Sequence, residues 1–350
     1  MCDVTIIIPN YNGSDDLRTC LTALRAQSAP ADVIVVDDAS TDESVRAAEA
    51  WMQKEEGAAD GASGAIRTLT LLRHAENRGF AAAVNTGIRA AKTPYVILLN
   101  NDAFPEEGFT EALLRAIRKR KNAFAVQGLL LQARGDTPYE PEDSSAGSAQ
   151  QHALIDDSGD YFCALGWAFS PGRDKEASAY SRPMRIMSAC AGAAIYDRAV
   201  LEELGLFDEA HFCYLEDVDI SLRAYRAGYR IYYEPEARVH HRASASSGSR
   251  YNAFKARLTI ANSLYLICKN LPVWMIVLFF PLLFCGFAVK GAFYAGKGLS
   301  GAFVQGLHEG ASKIAAYRRT GDVFHVEATP RREAMLAMEL LGNCVRRMVG

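Results

Sequence analysis

The sequence has no C-x-x-C pair, no regular cysteine spacing and no internal repeat. Its cysteines, Cys2, Cys20, Cys163, Cys190, Cys213, Cys268, Cys285 and Cys344, are scattered. That argues against a disulfide framework and reads as reduced thiols of an intracellular protein. Neither sign of charge dominates, the formal net charge being −3, and nothing basic and aromatic clusters as a strand-binding groove requires. No nucleic-acid partner is expected. Met1-Cys2-Asp3 lacks the basic flank and small-residue cleavage site of a secretory signal and runs directly into Val4-Thr5-Ile6-Ile7-Ile8, which reads as the first strand. After that run there is neither G-x-G-x-x-G nor G-x-x-x-x-G-K-[ST], which disfavours a dinucleotide-binding oxidoreductase and a P-loop phosphotransferase.

What is present is a chain of 350 residues, 49% apolar, long enough for one catalytic domain and an appendage. Val4 to Ile8, Val33 to Val36, Thr68 to Leu72 and Tyr95 to Leu99 are short apolar runs ended by polar residues, the pattern of buried parallel strands. Helical patterns lie between them at Asp15 to Gln27, Ser44 to Gln53 and Phe80 to Ala91. The alternation predicts an α/β fold, an open and mostly parallel sheet with helices on both faces. Glu55 to Gly64 and Gly135 to Gln151 read as polar loops, the second long enough to act as a lid. Residues 1–250 are expected to form the catalytic domain and 251–350 a helical C-terminal region.

Ligands of such sheets sit beyond the carboxyl ends of the strands. Those positions hold Pro9-Asn10-Tyr11-Asn12, Asp37-Asp38, His74 to Gly79 and Asn100-Asn101-Asp102. Carboxylates and amides there suit a divalent cation shared with a departing diphosphate. Each motif has a plainer reading: Asp37 to Asp42 can cap the next helix through Ser40 or Thr41, and Asn100 to Asp102 can be a turn. Further on, Glu216 and Asp217 open a helical pattern in which the macrodipole favours ionised acids and Asp219 can pair with Arg223.

Taken in order, VTIIIPNYNG (Val4 to Gly13), VVDDASTD (Val35 to Asp42), NRGFAAAVNTGI (Asn77 to Ile88), LLNNDAF (Leu98 to Phe104) and GLFDEAHFCYLEDVDISLRAYRAGYR (Gly205 to Arg230), with His240-His241 behind them, resemble family 2 glycosyltransferases of the GT-A fold, in particular the rhamnosyltransferase-like branch. The resemblance spans about Val4 to Ser249. It implies an inverting transfer from a nucleotide-diphosphate sugar, of dTDP-rhamnose or UDP-hexose type, to a hydroxyl of a polyprenyl-linked or polysaccharide acceptor, assisted by Mn2+ or Mg2+. It also implies residue roles. Pro9 and Tyr11 would line the base pocket, Asn12 would touch the nucleotide sugar, and Asp38 would accept a hydrogen bond from the base. Asn77, Gly79 and Asn85 would approach the ribose and diphosphate, with Asn101 beside the donor. Asp102 would be the metal ligand of a D-x-D motif, His241 its partner, and Asp217 of the Glu216-Asp217 pair the base. Where D-x-D has its first carboxylate this chain has Asn100, which brings no charge. Two other readings remain at this point. One is a sugar-nucleotide-binding protein without catalysis, which Glu216, Asp217 and His241 speak against. The other is a nucleotidyltransferase, which the non-basic Asn10 to Gly13 loop speaks against. On residues alone, His240-His241 is a surface pair at a strand end.

Leu271 to Val289 carries no charge, and at ~1.5 Å per residue its length nearly matches a ~30 Å hydrocarbon core. Pro272 and Pro281 interrupt it, and Lys290, Lys297, Lys313, Arg318, Arg319, Arg331, Arg332, Arg346 and Arg347 follow. The expectation is a cytoplasmic enzyme held on the inner face of the cell membrane. The segment would dip in near Pro281 and return, or lie along the interface, with the basic tail on anionic head groups. The other reading packs it against the catalytic domain or a second copy in a homodimer.

Overall fold

The computed structural model describes residues 2–56, 64–133, 153–242, 251–320, 326 and 328–349. β1 (Val4–Asn10), α1 (Ser14–Arg25), β2 (Ala31–Asp37), α2 (Ser44–Glu56), β3 (Ile66–Arg73), α3 (Phe80–Ala90) and β4 (Tyr95–Leu99) follow the order read from the apolar runs. The sheet region continues with β5 (Ala103–Pro105), α4 (Phe109–Lys119), β6 (Ala123–Gln132), β7 (Ile155–Asp157), β8 (Tyr161–Cys163), β9 (Trp167–Phe169), β10 (Met184–Ile186), β11 (Ala193–Asp197), α5 (Arg198–Glu203), α6 (Glu216–Ala227) and β12 (Arg230–His241). Four longer helices follow: α7 (Ala253–Asn270), α8 (Val273–Gly296), α9 (Ser300–Thr320) and α10 (Pro330–Val349). The polar loops expected at 55–64 and 135–151 lie largely outside the described residues.

The sheet order is β10-β12-β6-β11-β4-β1-β2-β3, with β5 on β12 and β7 on β6. β3, β2, β1 and β4 pair in parallel, as their unbroken apolar character predicts. β11 then enters antiparallel between β4 and β6, so the second half of the sheet is mixed. Successive strand side chains point to opposite faces, and β1 accordingly sends Ile7 to one core and Ile6 and Ile8 to the other. Residues of α1, α2 and α4 pack on the Ile6 face, and residues of α3, α5, α6, α7, α8 and α10 pack on the Ile7 face. The C-terminal helices therefore share a core with the sheet.

α8 is one unbroken helix with Pro281 inside it, which corrects the expected dip and return at that proline. The ring costs a backbone bond but lies on the exposed side. Met275, Phe279, Leu283 and Gly286, at helical spacing, are buried, while Val277, Leu278, Phe280, Phe284 and Val289 are exposed. By length and composition α8 could cross a membrane. Met275, Phe279 and Leu283 are buried in the core shared with the sheet, and polar contacts tie the same helix to the protein. Trp167 Nε1 donates to Gly286 O at 3.1 Å, and Lys290 Nζ donates to Gly166 O at 3.1 Å and Ser263 Oγ at 3.3 Å. Hydrocarbon would leave these groups unpaired, which favours a helix lying against the protein. Some of the basic residues expected on head groups are likewise engaged elsewhere. Besides Lys290, Lys313 Nζ donates to Asn262 Oδ1 at 2.7 Å, and Arg332 Nη1 donates to Ala227 O at 2.7 Å, at the end of α6.

A Cβ on Gly286 would lie 2.0 Å from Leu165 O, a backbone atom that cannot step aside. Gly286→Ala should push α8 off the 164–167 hairpin and lower stability by roughly 1–3 kcal/mol, seen as a lower thermal midpoint. Gly296→Ala, whose Cβ meets nothing within 4 Å, is the control and should not lower it. Equal midpoints for the two variants would mean that α8 is not seated as described.

Candidate active site

The loops after β1, β2 and β4 meet at one edge through a chain of amide and carboxylate contacts. Asn10 Nδ2 donates to Asp37 Oδ1 at 3.1 Å, and Asn101 Nδ2 donates to Asn10 Oδ1 at 2.7 Å. Asn12, at φ 51°, accepts from Thr41 N at 2.8 Å and donates its own N–H to Ser40 Oγ at 3.0 Å. Ser40 and Thr41 thus tie the two loops together, and it is Asp42 that accepts from Ser44 N at the start of α2, at 3.0 Å. Pro9 is half-buried and Tyr11 exposed at this rim. Asp38 is buried, paired with His74 Nδ1 at 2.7 Å and accepting from Arg78 N at 2.9 Å and Gly79 N at 2.8 Å. These bonds fold the Asn77–Gly79 turn onto β2 and leave Asp38 about one free acceptor position of the roughly four a carboxylate offers. Asn77 Oδ1 accepts from Gly79 N at 3.1 Å.

One expected donor contact, that of Asn85, is corrected by burial and by hydrogen-bond accounting. Asn85 is buried inside α3, where Nδ2 donates to Phe207 O at 2.8 Å and Glu209 Oε1 at 3.0 Å and Oδ1 accepts from Phe207 N at 3.0 Å. With both donors used, it clamps the 207–209 segment instead of facing a ligand. Asn101 is also buried, and its bond to Asn10 turns it toward the loops it joins.

β12 ends with His241 opposite Ala103 of β5, and this register sets the imidazole beside Asp102. His241 Nε2 lies 3.2 Å from Asp102 Oδ1 and 3.3 Å from Asn100 Nδ2, while Nδ1 is 2.8 Å from Asp156 Oδ2. His240 faces away, to Glu106 Oε1 at 3.0 Å. Burial opposes charging His241, but Asp102 and Asp156 outweigh it and push the imidazole up to about 10. A histidine held at Nδ1 by a carboxylate, with Nε2 aimed at a second carboxylate, is the donor set and orientation of a metal-ligating histidine, the cation replacing the Nε2 proton. The fit to a divalent ion is good on this ground. Asp156 was not anticipated, although the run Ile155-Asp-Asp-Ser-Gly-Asp160 after a loop rich in Gly and Ser was its only signal.

α6 begins at Glu216 with both acids in its first turn. The expected ionisation by the helix dipole is overridden by burial. Burial raises the Asp217 carboxyl to about 6, against the backbone hydrogen bonds of Val218 and Ala191 and with Asp157 adding to the rise. Burial, then the Asp217 charge, pushes Glu216 well above the ordinary carboxylate range. Of the pair, Asp217 is the acid whose carboxyl, at about 6, is ionised near neutral pH. Asp217 accepts from the backbone N–H of Ala191, and Asn100 N donates to Gly192 O, one residue on, at 3.0 Å. One short turn thus borders both the acid pair and the His241 cluster.

Another group, Asp208, His211 and Asp219, has ligand atoms within 4.8 Å of one another. It is a poor metal site because the Lys269 ammonium already takes the cation's place, 2.6 Å from Asp208 Oδ2 and 2.9 Å from Asp219 Oδ2. Arg223 Nη2 adds a contact to Asp219 Oδ2 at 2.8 Å, the one-turn pairing expected from the sequence. A surface groove of about 660 Å3 lined by Cys2, Asp3, Arg115 and Arg118 sits at the start of β1, the end of the strands away from this chemistry.

Residues 5–205 match the family model described as "Glycosyl transferase family 2". The "Pre-mycofactocin glycosyltransferase" of Mycobacterium tuberculosis is 30% identical over 243 residues, 68% of this chain and 42% of that protein. The chain thus spans about two-fifths of that relative's length. The "N-acetylglucosaminyl-diphospho-decaprenol L-rhamnosyltransferase" of the same organism is 27% identical over 262 residues, covering 71% of this chain and 79% of the relative. Among solved structures, that of GalNAc-T7 with UDP, GalNAc and Mn2+ superposes with a TM-score of 0.54 at 17% identity, over 76% of this chain and 48% of the other. At that identity the likeness is one of GT-A fold.

Because Asp156 helps hold the proton on His241, Asp156→Asn should lower the His241 pKa from about 10. An NMR titration of the imidazole resonances reads this directly. A pKa that stays in place would show that Asp156 does not set the ring's charge.

Proposed function

The chain belongs to glycosyl transferase family 2, and on that premise we propose that it transfers a sugar from a nucleotide-diphosphate donor to an acceptor hydroxyl with inversion. The observation that carries the reading is the approach of Asp102 and His241 to 3.2 Å, with Asp156 orienting the ring from behind. Asp102 and His241, with the neutral Asn100 beside them, would hold a Mn2+ or Mg2+ ion, which supplies charge neutralisation for a departing diphosphate. Pro9, Tyr11, Asn12 and the remaining position on Asp38 would receive the base, and the Asn77–Gly79 turn the phosphate side. Asp217 takes the proton of the acceptor hydroxyl as that oxygen attacks the anomeric carbon, and the nucleoside diphosphate leaves from the opposite face. A single displacement of this kind inverts the anomeric configuration. A base of pKa about 6 is ionised at neutral pH yet close enough to it to accept a proton in the transition state, worth roughly 10²–10⁴-fold. The names of the relatives and of the superposed structure support a dTDP-rhamnose or UDP-hexose donor and a sugar on a polyprenyl diphosphate, or a growing polysaccharide, as acceptor.

In this reading residues 1–250 are the catalytic part, and the C-terminal helices seat it on the cytoplasmic face of the membrane. Exposed Phe280 and Phe284 on α8 are matched by Met335, Met338, Leu341, Val345 and Met348 on α10, a stripe at helical spacing. The two helices meet where Trp274 Nε1 donates to Glu333 Oε2 at 3.0 Å. Apolar residues on two adjoining helices, with Arg347 at the far end of α10 and Lys297 just after α8, suit an anionic bilayer surface.

Three measurements test this. Asp217→Asn should lower kcat by at least ~10²-fold with donor affinity nearly unchanged, and in the native enzyme kcat should fall as pH drops through about 6, because the base form is lost there. Loss of donor binding in that variant would contradict the assigned role. Thermal shift with nucleotide diphosphates should show Mn2+-dependent stabilisation, ~2.7 kcal/mol for a ligand at 100 times its Kd, that Asp102→Ala abolishes. Full activity in excess chelator would remove the metal from the proposal. Finally, the protein should co-sediment with anionic vesicles, and Phe280→Glu with Phe284→Glu should release it. A dimer in solution that the same changes dissociate would instead assign the face to a second copy.

A further inference from the structure

Between the short Glu209–His211 turn and α6 the chain adopts a conformation that ordinary residues avoid. Phe212, Tyr214 and Leu215 all have positive φ, at 62°, 70° and 68°, and none is glycine. Such a run persists only where the surroundings over-determine it. Leu215 is the residue at the N-cap of α6 and has no side-chain cap, so at this helix start only backbone bonds such as Asp219 N to Leu215 O, at 2.9 Å, and the Asp217 side chain itself hold the first turn.

The loop itself is held from the C-terminal helices. Asn262, fully buried on α7, aims its amide into the loop, where Nδ2 lies 2.9 Å from His211 O, 2.9 Å from Cys213 O and 2.8 Å from Tyr214 O. Two hydrogens are shared among these carbonyls, and Oδ1 accepts from Lys313 Nζ of α9 at 2.7 Å. An apolar side chain would fill the same space; only a donor fork can hold these carbonyls pointing inward. One turn into α6, Asp219 Oδ1 accepts from Asn270 Nδ2 at 2.7 Å and Oδ2 from Lys269 Nζ, again from α7. The loop also backs the other half of the site. Ala81 N donates to Phe212 O at 3.2 Å, and Gly79, at φ 85°, is so close that a Cβ there would lie 2.5 Å from Phe212 O.

We propose that Asn262, braced by Lys313, is a positioning residue for transfer: it holds the 212–215 loop in its left-handed course and thereby sets the place of Asp217. The inference rests on the assignment of Asp217 as the base. It makes α7 and α9 part of the catalytic apparatus without contact with either substrate.

The test is a cycle of Asn262→Leu and Asp217→Asn in the full chain, with kcat and donor KM measured for each. A misplaced base should cost Asn262→Leu about 10²-fold in kcat with donor KM changed little. Asn262→Ser, which keeps a hydroxyl donor, should recover part of that loss. In the Asp217→Asn background Asn262→Leu should cost almost nothing further, since there is no base left to misplace. If Asp217→Asn is nearly inactive and Asn262→Leu still removes a further large factor, the positioning role is wrong while the base stands. If Asp217→Asn alone keeps full activity, it is the base assignment that fails. Should Asn262→Leu not fold, Lys313→Met removes the brace from the partly exposed side and should lower kcat by about 3–10-fold. An unchanged kcat there would overturn the proposal.

Discussion

Two carboxylates, Asp208 and Asp219, are buried on the α6 side of the sheet, and the ammonium of Lys269 lies between them. Burial would raise the Asp219 carboxyl, but Lys269 and then Arg223 hold it well below the ordinary carboxylate range. Removing one partner from such a buried set costs roughly 3–5 kcal/mol, a large share of the ~5–15 kcal/mol that holds a domain together. The lysine is not on the sheet or on α6 but near the end of α7, so the region that begins α6 is completed only when the chain has run well past β12. This dependence accounts for the shared core on the Ile7 face and for the seating of α8 and α10 on the β8–β9 hairpin, where Asn343 Nδ2 donates to Phe162 O at 2.8 Å.

The site is assembled from strand ends whose positions are dictated by register. Asn100 and Asp102 follow β4, and His241 reaches them because β12 lies antiparallel to β5. Asp156 arrives on β7, which pairs with β6 on the same edge. The electrostatics then follow from burial and, after it, from crowding. Burial first and neighbouring acids second push Glu216 up and Asp217 part of the way, while Asp102 and Asp156 hold the His241 imidazole charged against the same burial. Burial distributes distinct roles among residues that the sequence presents as equivalent acids.

The parallel half of the sheet was legible because buried strands announce themselves as short apolar runs, and the loops at their ends because polar residues interrupt those runs. The juxtaposition of Asn100, Asp102 and His241 was legible only through resemblance in motif order, since nothing in the spacing of residues 102 and 241 says that they touch. Asn85 misled because a conspicuous amide near a ligand-facing turn looks the same in sequence whether it faces solvent or satisfies a neighbouring backbone. Asp156 and Asn262 were missed for a related reason: their partners are more than 45 residues away, on strands and helices whose pairing is a tertiary fact. The outer stripe of α10 went unread because the inner stripe of Leu336, Ala337 and Leu340 already gives that helix an ordinary amphipathic pattern. α8 runs on through Pro281, whose ring lies on the exposed side.

β12 carries a register shift between Glu234 and Arg238, after which it resumes pairing with β6 and β5. Side chains beyond that shift alternate between the Glu106 face and the Asp102 face, and the last two are both histidine. Gain of one residue in the shifted stretch would set each later residue one place further along and bring His240 opposite Ala103, beside Asp102. An imidazole would still arrive. The doubled histidine makes this corner of the protein tolerant of a one-residue insertion, a kind of error that period-two strands otherwise punish by exchanging inside for outside.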